Sequence, residues 1–445
     1  MHKASIVTYE TPEASVEKAI ALSGTLDRLR EGDTVFIKPN IVFWSRVAEM
    51  PPWGVITTTR GVADVVKALR ERGAGKIIIA EGTITTDPTD KQTIADAFEK
   101  LGYNALKKQY DLVVKDIFDC RFQPVDLGDD VVLNVAEDLL EADLVVNLPV
   151  LKTHALTRVS LGMKNLKGCI DKKGRKIYHS PNLAVDLETH VAKLSTVVDN
   201  CCTVTDGIYT LEKGPGFTGN ARRSNLLIAS NDMTAADIVG AAALGFDPAD
   251  IKHLALRCEQ EGIAPSVSSV EIVGEPLDAV ARPHAWDFPY NADNTLPANM
   301  QKRGVEGLSF PKYDHSMCTY CSAVVGLLQF AIGNAYKGTP FDNVQILTGK
   351  MREPDPGMNH TILMGRCQTK LNKNNPRIKH PILVPGCPPN LDKLVEGVKN
   401  AGIDIDPNLF KMFDMAPALF MTKYAGKPEF SKAFYERVNV PPNPI

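Results

Sequence analysis

The sequence has almost no excess charge: 50 Lys and Arg face 53 Asp and Glu, for a net charge of −3. A general nucleic-acid binder, whose affinity rests on surplus cations, is therefore not expected. Long apolar runs are also missing. No stretch of about 18 uncharged apolar residues occurs, so no membrane span is expected. The N-terminus, Met1-His2-Lys3-Ala4-Ser5, runs into a short strand-like segment and lacks the apolar region of a secretory signal. The expected setting is cytoplasmic, where thiols stay reduced. What is present is an ordinary apolar fraction of 44% over 445 residues, enough for a sizeable core, and a length prior of about three domains. Nine cysteines then need a reason other than disulfides.

The cysteines fall into two populations. Cys120, Cys169, Cys201, Cys202 and Cys258 are scattered and read as small buried apolar side chains, with Cys169 undecided because it follows Lys164-Asn165-Leu166-Lys167-Gly168. Cys318, Cys321, Cys367 and Cys387 fall in the last third. The first two form a C-x2-C pair, which can meet one metal centre across a tight turn. Cys367 follows Thr361–Met364 and a Gly-Arg turn, and Cys387 follows Pro381–Val384 and a Pro-Gly turn, so both sit at expected strand ends. A zinc ribbon closes with a second tight pair or two His. Loose spacing, with one Cys followed by Pro, suits a 4Fe–4S cluster better, with structural zinc as the runner-up.

The first 275 residues alternate strand and helix patterns. Strands are expected at 34–37, 76–80, 143–148, 202–205, 226–229 and 270–273, and helices at 58–72, 93–101, 160–166 and 235–244. This predicts an α/β fold: a large, mostly parallel sheet domain with helices on its faces, over 1–275. Residues 276–310 read as a linker. A smaller α/β iron–sulfur domain is expected over 311–405 and a docking helical tail, rich in Phe and Tyr, over 406–445.

Ligands of open α/β sheets bind outside the carboxyl ends of strands. Read there, strand 143–148 ends near Asn147, and the sequence offers Lys38, Asn40, Glu81, Asp206 and Asp232 as ligand-binding groups, with Asn165, from the segment Lys164–Gly168, added to them. Each has a plainer alternative. Asp232 suits a helix N-cap, Asp206-Gly207 a turn, and Lys38 a solvated loop. The segment 151–170 holds Lys152, His154, Arg158, Lys164 and Lys167 and no acid, which suits an anionic small molecule. Lys152, His154 and Lys164 are the candidate catalytic residues; His154 could equally be a structural histidine. Residues 212–219 form a Gly-rich loop without the Gly-Lys-Ser/Thr ending of a P-loop, and a mobile lid is one role open to it.

Lys38-Pro39-Asn40, Thr57-Thr58, Glu81-Gly82, Leu148-Pro149 with Lys152-Thr153-His154, Gly162–Gly168, Asp206-Gly207, Gly214-Pro215-Gly216 and Asp232 with Ala236-Asp237 together resemble the iron–sulfur family known as domain of unknown function 362. The resemblance covers about 1–275 and implies an iron–sulfur association in a cytoplasmic, often anaerobic, setting, with no assigned substrate. The chain lacks that family's frequent ferredoxin-like insert. Its late cysteines are instead similar to those of the proximal-cluster domain of hydrogenase small subunits. A distant similarity to the nickel-pincer lactate racemase fold rests on the Thr-Thr-Arg helix start. The functional expectation is an iron–sulfur oxidoreductase that binds an anionic small molecule. The alternatives are an electron-transfer or maturation partner without its own substrate, and a non-redox isomerase or ligase with a structural metal. An electron-donor protein and a homo-oligomer are both left open as partners.

Overall fold

The computed structural model describes residues 2–436 other than 86 and 88, and divides the chain into two compact units. The larger comprises residues 1–175, 188–287 and 417–445; the smaller comprises 176–187 and 288–416.

The large unit is built on a mixed, mostly parallel sheet with accompanying helices. Its strands are β1 (His2–Thr8), β2 (Thr34–Lys38), β3 (Lys76–Glu81), β4 (Val113–Asp116), β7 (Leu144–Asn147), β8 (Val150–His154), β9 (Arg158–Val159), β10 (Cys201–Glu212), β11 (Asn220–Ser230) and β12 (Val270–Gly274). A separate hairpin pairs β5 (Phe122–Asp126) with β6 (Val132–Ala136). The main order is β12-β1-β11-β10-β7-β2-β3-β4, with β8 beside β10 and β9 beside β8. The pairs β1–β11, β10–β11 and β8–β9 are antiparallel. Central strands such as Ile77–Ala80 and Leu144–Val146 are buried on both faces, as a covered parallel sheet requires. The helix Thr59–Glu71 starts where the Thr58 hydroxyl accepts from the Gly61 N–H at 3.2 Å, and it buries Val62, Val65, Val66 and Leu69.

Three sequence expectations change. First, β10 runs unbroken through Asp206-Gly207, which is therefore not a strand end. A bulge lies between Gly207 and Tyr209, and a Cβ on Gly207 would stand 2.8 Å from the Leu226 carbonyl oxygen. Second, residues 276–310 are not a linker. The helix Leu277–Val280 and the buried His284, whose Nε2 lies 2.8 Å from the Thr210 hydroxyl, belong to the large unit. From 288 onward the chain, including the helix Ala298–Lys302, belongs to the small unit. Third, the tail divides at 416/417, and its last residues, 437–445, lie outside the described ones.

From 417 the tail packs on the large unit as a set of rings rather than as one helix. Trp53 lies 5.1 Å from Tyr424 and 5.5 Å from Phe430, and Tyr209 lies 5.7 Å from Phe434. The Tyr209 hydroxyl donates to the Glu429 carbonyl at 2.9 Å, and the Trp53 indole N–H to the Ser431 carbonyl at 3.1 Å.

The small unit is a parallel four-stranded sheet, β13 (Leu308–Ser309), β14 (Val344–Leu347), β15 (His360–Met364) and β16 (His380–Val384), in that order. The helices Thr319–Ala335, Gly365–Asn372 and Leu391–Asn400 accompany it, with Leu328, Ile332, Leu394 and Val398 in its core.

Phe434 is 2% exposed inside the ring cluster. Phe434→Ala is expected to lower the unfolding free energy by about 3–5 kcal/mol in chemical denaturation. A loss below about 1 kcal/mol would contradict the docked tail.

Candidate functional site

Three parallel strands of the large unit end in polar residues that are wholly buried: Lys38 on β2, Glu81 on β3 and Asn147 on β7. The register sets Lys38 directly beside Asn147. An ammonium cannot stay charged out of water without a partner, and Lys38 has one. Its Nζ lies 2.7 Å from the Glu81 Oε2 and donates also to the Pro39 carbonyl at 2.7 Å. The Glu81 carboxylate further accepts the N–H groups of Ile41 (3.0 Å) and Gly82 (2.7 Å). A Cβ on Gly168 would come within 2.7 Å of the Lys38 Nζ, so only a glycine allows the chain to close over the pair.

A chain of amides adjoins this pair. Asn165 donates to Asn147 (2.8 Å) and to the Lys38 carbonyl (3.0 Å), and Asn40 donates to Asn165 (2.9 Å). Asn147 donates to the Gly162 carbonyl at 2.8 Å. The Thr57 hydroxyl accepts from the Asn40 N–H at 2.8 Å and donates to the Leu148 carbonyl at 2.7 Å. Lys152 completes the floor. Its Nζ donates to Asn40 Oδ1 (2.8 Å) and to the carbonyls of Val55 (2.7 Å) and Pro215 (3.3 Å). Burial, followed by the charge of Lys164, pushes the Lys152 pKa down to about 7. Three oxygens around one nitrogen nevertheless call for three N–H donors, so the geometry fits the ammonium.

Lys38, Asn40, Glu81, Lys152 and Asn165, all singled out from the sequence, therefore meet in one network. Its groups are committed to one another, and their role is to hold loops in place. The Gly-rich loop is one of these. Lys152 holds Pro215, the Gly214 N–H donates to the Thr153 hydroxyl at 3.0 Å, and Lys423 of the tail donates to the Thr218 and Gly219 carbonyls. It is fastened in place, unlike the mobile lid expected from the sequence.

Two sequence candidates are placed elsewhere. Asp232 caps the helix Met233–Ala243, accepting the Ala235 N–H at 2.7 Å. It follows β11, which is antiparallel, so its strand end lies beside the amino end of β10, where Ser230 pairs with Thr203. Asp206, inside β10, accepts the N–H groups of Thr58 (2.6 Å) and Ile208 (3.0 Å), so its carboxylate is spent on the backbone where the Thr59–Glu71 helix begins; burial raises its pKa.

The remaining pair, His154 and Lys164, is only half-buried. The Lys164 Nζ stands 3.1 Å from the His154 Nε2, and the Leu156 N–H donates to the His154 Nδ1 at 3.1 Å. Burial pushes the Lys164 pKa down to about 8, against the opposing charge of Glu188. The short helix Leu161–Asn165 that carries Lys164 and Asn165 is anchored by Asp237, which accepts the N–H groups of Gly162 (2.7 Å) and Met163 (2.8 Å). Asn147, Thr57 and Asp237 were not among the candidate site residues. Thr57 and Asp237 do stand in the motifs quoted above, and Asn147 closes a predicted strand.

In the small unit, four cysteines lie at the carboxyl edge of the parallel sheet. Cys367 lies in the first turn of the helix after β15, and Cys387 lies in the loop after β16. The turns are joined where the Arg366 N–H donates to the Gly386 carbonyl at 2.8 Å. Cys318 stands just before the first turn of the helix Thr319–Ala335, and Cys321 is in that turn. The loop before it is tied to the end of β14 by the Lys350 N–H, which donates to the Ser316 hydroxyl at 2.7 Å. Gly365, at φ +83°, leaves room for Cys321: a Cβ there would lie 3.3 Å from its sulfur. The Cys321 thiol is pushed up by its hydrogen bond with Cys318 and by burial, and it also feels Cys367 and Cys387. Among the described residues, no group of three or more His, Cys, Asp or Glu side chains is arranged to hold a metal ion. The other five cysteines are buried, Cys169 included; burial pushes its thiol up to about 12.

Fold and site thus define an α/β protein with a buried polar floor at its strand ends and a cysteine-bearing second unit. Residues 35–242 match the family model described as Domain of unknown function (DUF362). A thylakoid-associated protein of Synechocystis sp. is 28% identical over 274 residues, 60% of this chain and 80% of that protein. Among solved structures, the lactate racemase apoprotein from Thermoanaerobacterium thermosaccharolyticum is 15% identical with a TM-score of 0.35, over 55% of this chain and 57% of that one. A protein from Thermotoga maritima is 11% identical with a TM-score of 0.30, over 51% and 58%. The chain thus spans less than two thirds of the length of either solved structure.

Asp237 gives a pH test. Burial raises its pKa to about 7, against about 3.9 in an unfolded chain. Between those values the folded group keeps a proton that the unfolded one has lost, so stability falls as pH rises, by about 1.4 kcal/mol per unit. Asp237→Asn removes this slope. Denaturation at pH 5 and 7 is expected to show the wild type losing more stability than the variant; equal losses would contradict the assignment.

Proposed function

We propose that the chain is an iron–sulfur protein whose small unit holds a 4Fe–4S cluster on Cys318, Cys321, Cys367 and Cys387, and whose large unit binds an anionic small molecule beside Lys164 and His154. The observation that carries this reading is that four thiols, from three separate stretches of chain, lie at one edge of a small parallel sheet, near enough that Cys321 feels the other three. The donor set is all sulfur, which suits iron–sulfur ligation. Cys387 is exposed and the other three are partly so, which leaves the edge open to an electron-donor protein.

When bound, a four-thiolate cluster supplies electrons one at a time and offers no open iron. The protein's own groups do the rest. The strand-end floor fixes the Gly-rich loop and the Lys164 helix, and the acid-free segment 151–170 supplies positive charge for the anion. No described helix is long and apolar enough to cross a membrane. The cytoplasmic and anaerobic setting belongs to this same reading. A second reading, non-redox chemistry on lysine and histidine, draws support from the Lys164–His154 contact.

Protein purified without oxygen is expected to contain about four iron and four sulfide per chain, with a visible chromophore that Cys387→Ala weakens or alters. Iron at trace level, stoichiometric zinc, or a chromophore unchanged in the variant would overturn the cluster.

A further inference from the structure

Hydrogen bonds at both ring nitrogens of His154 bear on where its proton sits. The Leu156 backbone N–H points at Nδ1 from 3.1 Å, so Nδ1 must offer a lone pair. A neutral imidazole with an unprotonated Nδ1 carries its hydrogen on Nε2. That hydrogen faces the Lys164 Nζ at 3.1 Å. An N–H cannot bond to an ammonium, which has three hydrogens and no lone pair; it can bond to a neutral amine. A charged Lys164 would need the other tautomer, in which Nδ1–H and the Leu156 N–H would face each other as two donors without an acceptor. Both hydrogen bonds form together only when Lys164 is an uncharged amine.

The neighbouring lysine shows the contrast. Lys152, two residues before His154 on β8, is surrounded by three oxygens and suits an ammonium. The charged groups felt at Lys164 are consistent with this. Glu188, held by the His253 Nδ1 at 2.9 Å, favours the cation, while burial opposes it and leaves the group near pH 8. The positive charge of Lys152 adds to the opposition, since each of these lysines disfavours charge on the other.

We propose that Lys164 is a nucleophilic amine that adds to the carbonyl carbon of an anionic oxo compound, a small 2-oxo acid, and forms an imine. The new bond is between Nζ and the carbonyl carbon. The carbonyl oxygen leaves as water with the two amine hydrogens, so the step needs no oxidant or reductant. Lys164 and His154 each keep part of their surface exposed, and the ammonium of Lys152 close by favours a carboxylate-bearing carbonyl compound over a cationic one, against the single carboxylate of Glu188. The carboxylate part rests on the anion-binding reading of the large unit; the amine does not.

The test is reductive trapping on the full-length protein, with cyanoborohydride and either pyruvate or the neutral aldehyde propanal at about pH 7.5, followed by peptide mapping. Lys164 is expected to be labelled by pyruvate ahead of the exposed lysines. Labelling of surface lysines with Lys164 left unmodified by both probes would overturn the proposal. Labelling of Lys164 by propanal alone would keep the nucleophile and overturn the anionic substrate class. His154→Gln supplies a second arm, because the new side-chain carbonyl accepts from an ammonium. Trapping at Lys164 is then expected to fall about tenfold, one unit of lysine pKa, and to recover near pH 9. Unchanged trapping in this variant would overturn the tautomer argument.

Discussion

The ion pair between Lys38 and Glu81 is the constraint on which the strand-end region of the large unit depends. Both side chains are 1% exposed, and neither could be left charged alone. Glu81 is held further by two backbone N–H groups of the chain that leaves β2 and β3, and Lys38 by the carbonyl of the next residue. The pair therefore dictates how the backbone turns as it leaves the sheet. The amides of Asn40, Asn147 and Asn165 extend that order sideways, and Lys152 carries it to the Gly-rich loop. A buried network of this kind is costly unless every member is satisfied, and this one is densely satisfied.

Such a floor changes what the conspicuous cations mean. Lys38 and Lys152 look like ligand-binding groups when read from the chain, yet all three donors of Lys152 and two of those of Lys38 bond within the protein. Lys164 and His154 differ: they meet each other, and both keep part of their surface open. The small unit follows a related logic with other chemistry. Its parallel strands also end in functional groups, and there the groups are thiols.

Much of this was legible in the sequence. Buried parallel strands such as Lys76–Glu81 are continuous apolar runs, and the amphipathic helix Thr59–Glu71 has a clear 3.6-residue period. The convergence of Lys38, Asn40 and Glu81 followed from the rule that ligands sit at the carboxyl ends of strands, whereas Asn165 lies on a short helix. What escaped were the strands whose polar residues are buried or face their own hairpin. β8 contains Lys152 and Thr153, and β5–β6 contain Gln123 and Asn134. Strand direction was equally hidden. Asp232 follows an apolar strand just as Glu81 does, and only the antiparallel course of β11 makes it a helix cap. The segment 276–310 looked like a linker because its partners, such as Thr210 for His284, are remote in sequence.

A double-mutant cycle on the central pair tests this account most directly, with Lys38→Met, Glu81→Leu and the double variant compared by denaturant unfolding. Each single change is expected to cost about 3–5 kcal/mol, because it strands a buried charge, and the double change to recover a large part of that loss. Single losses below about 1 kcal/mol that simply add in the double variant would contradict the claim that this pair orders the strand ends.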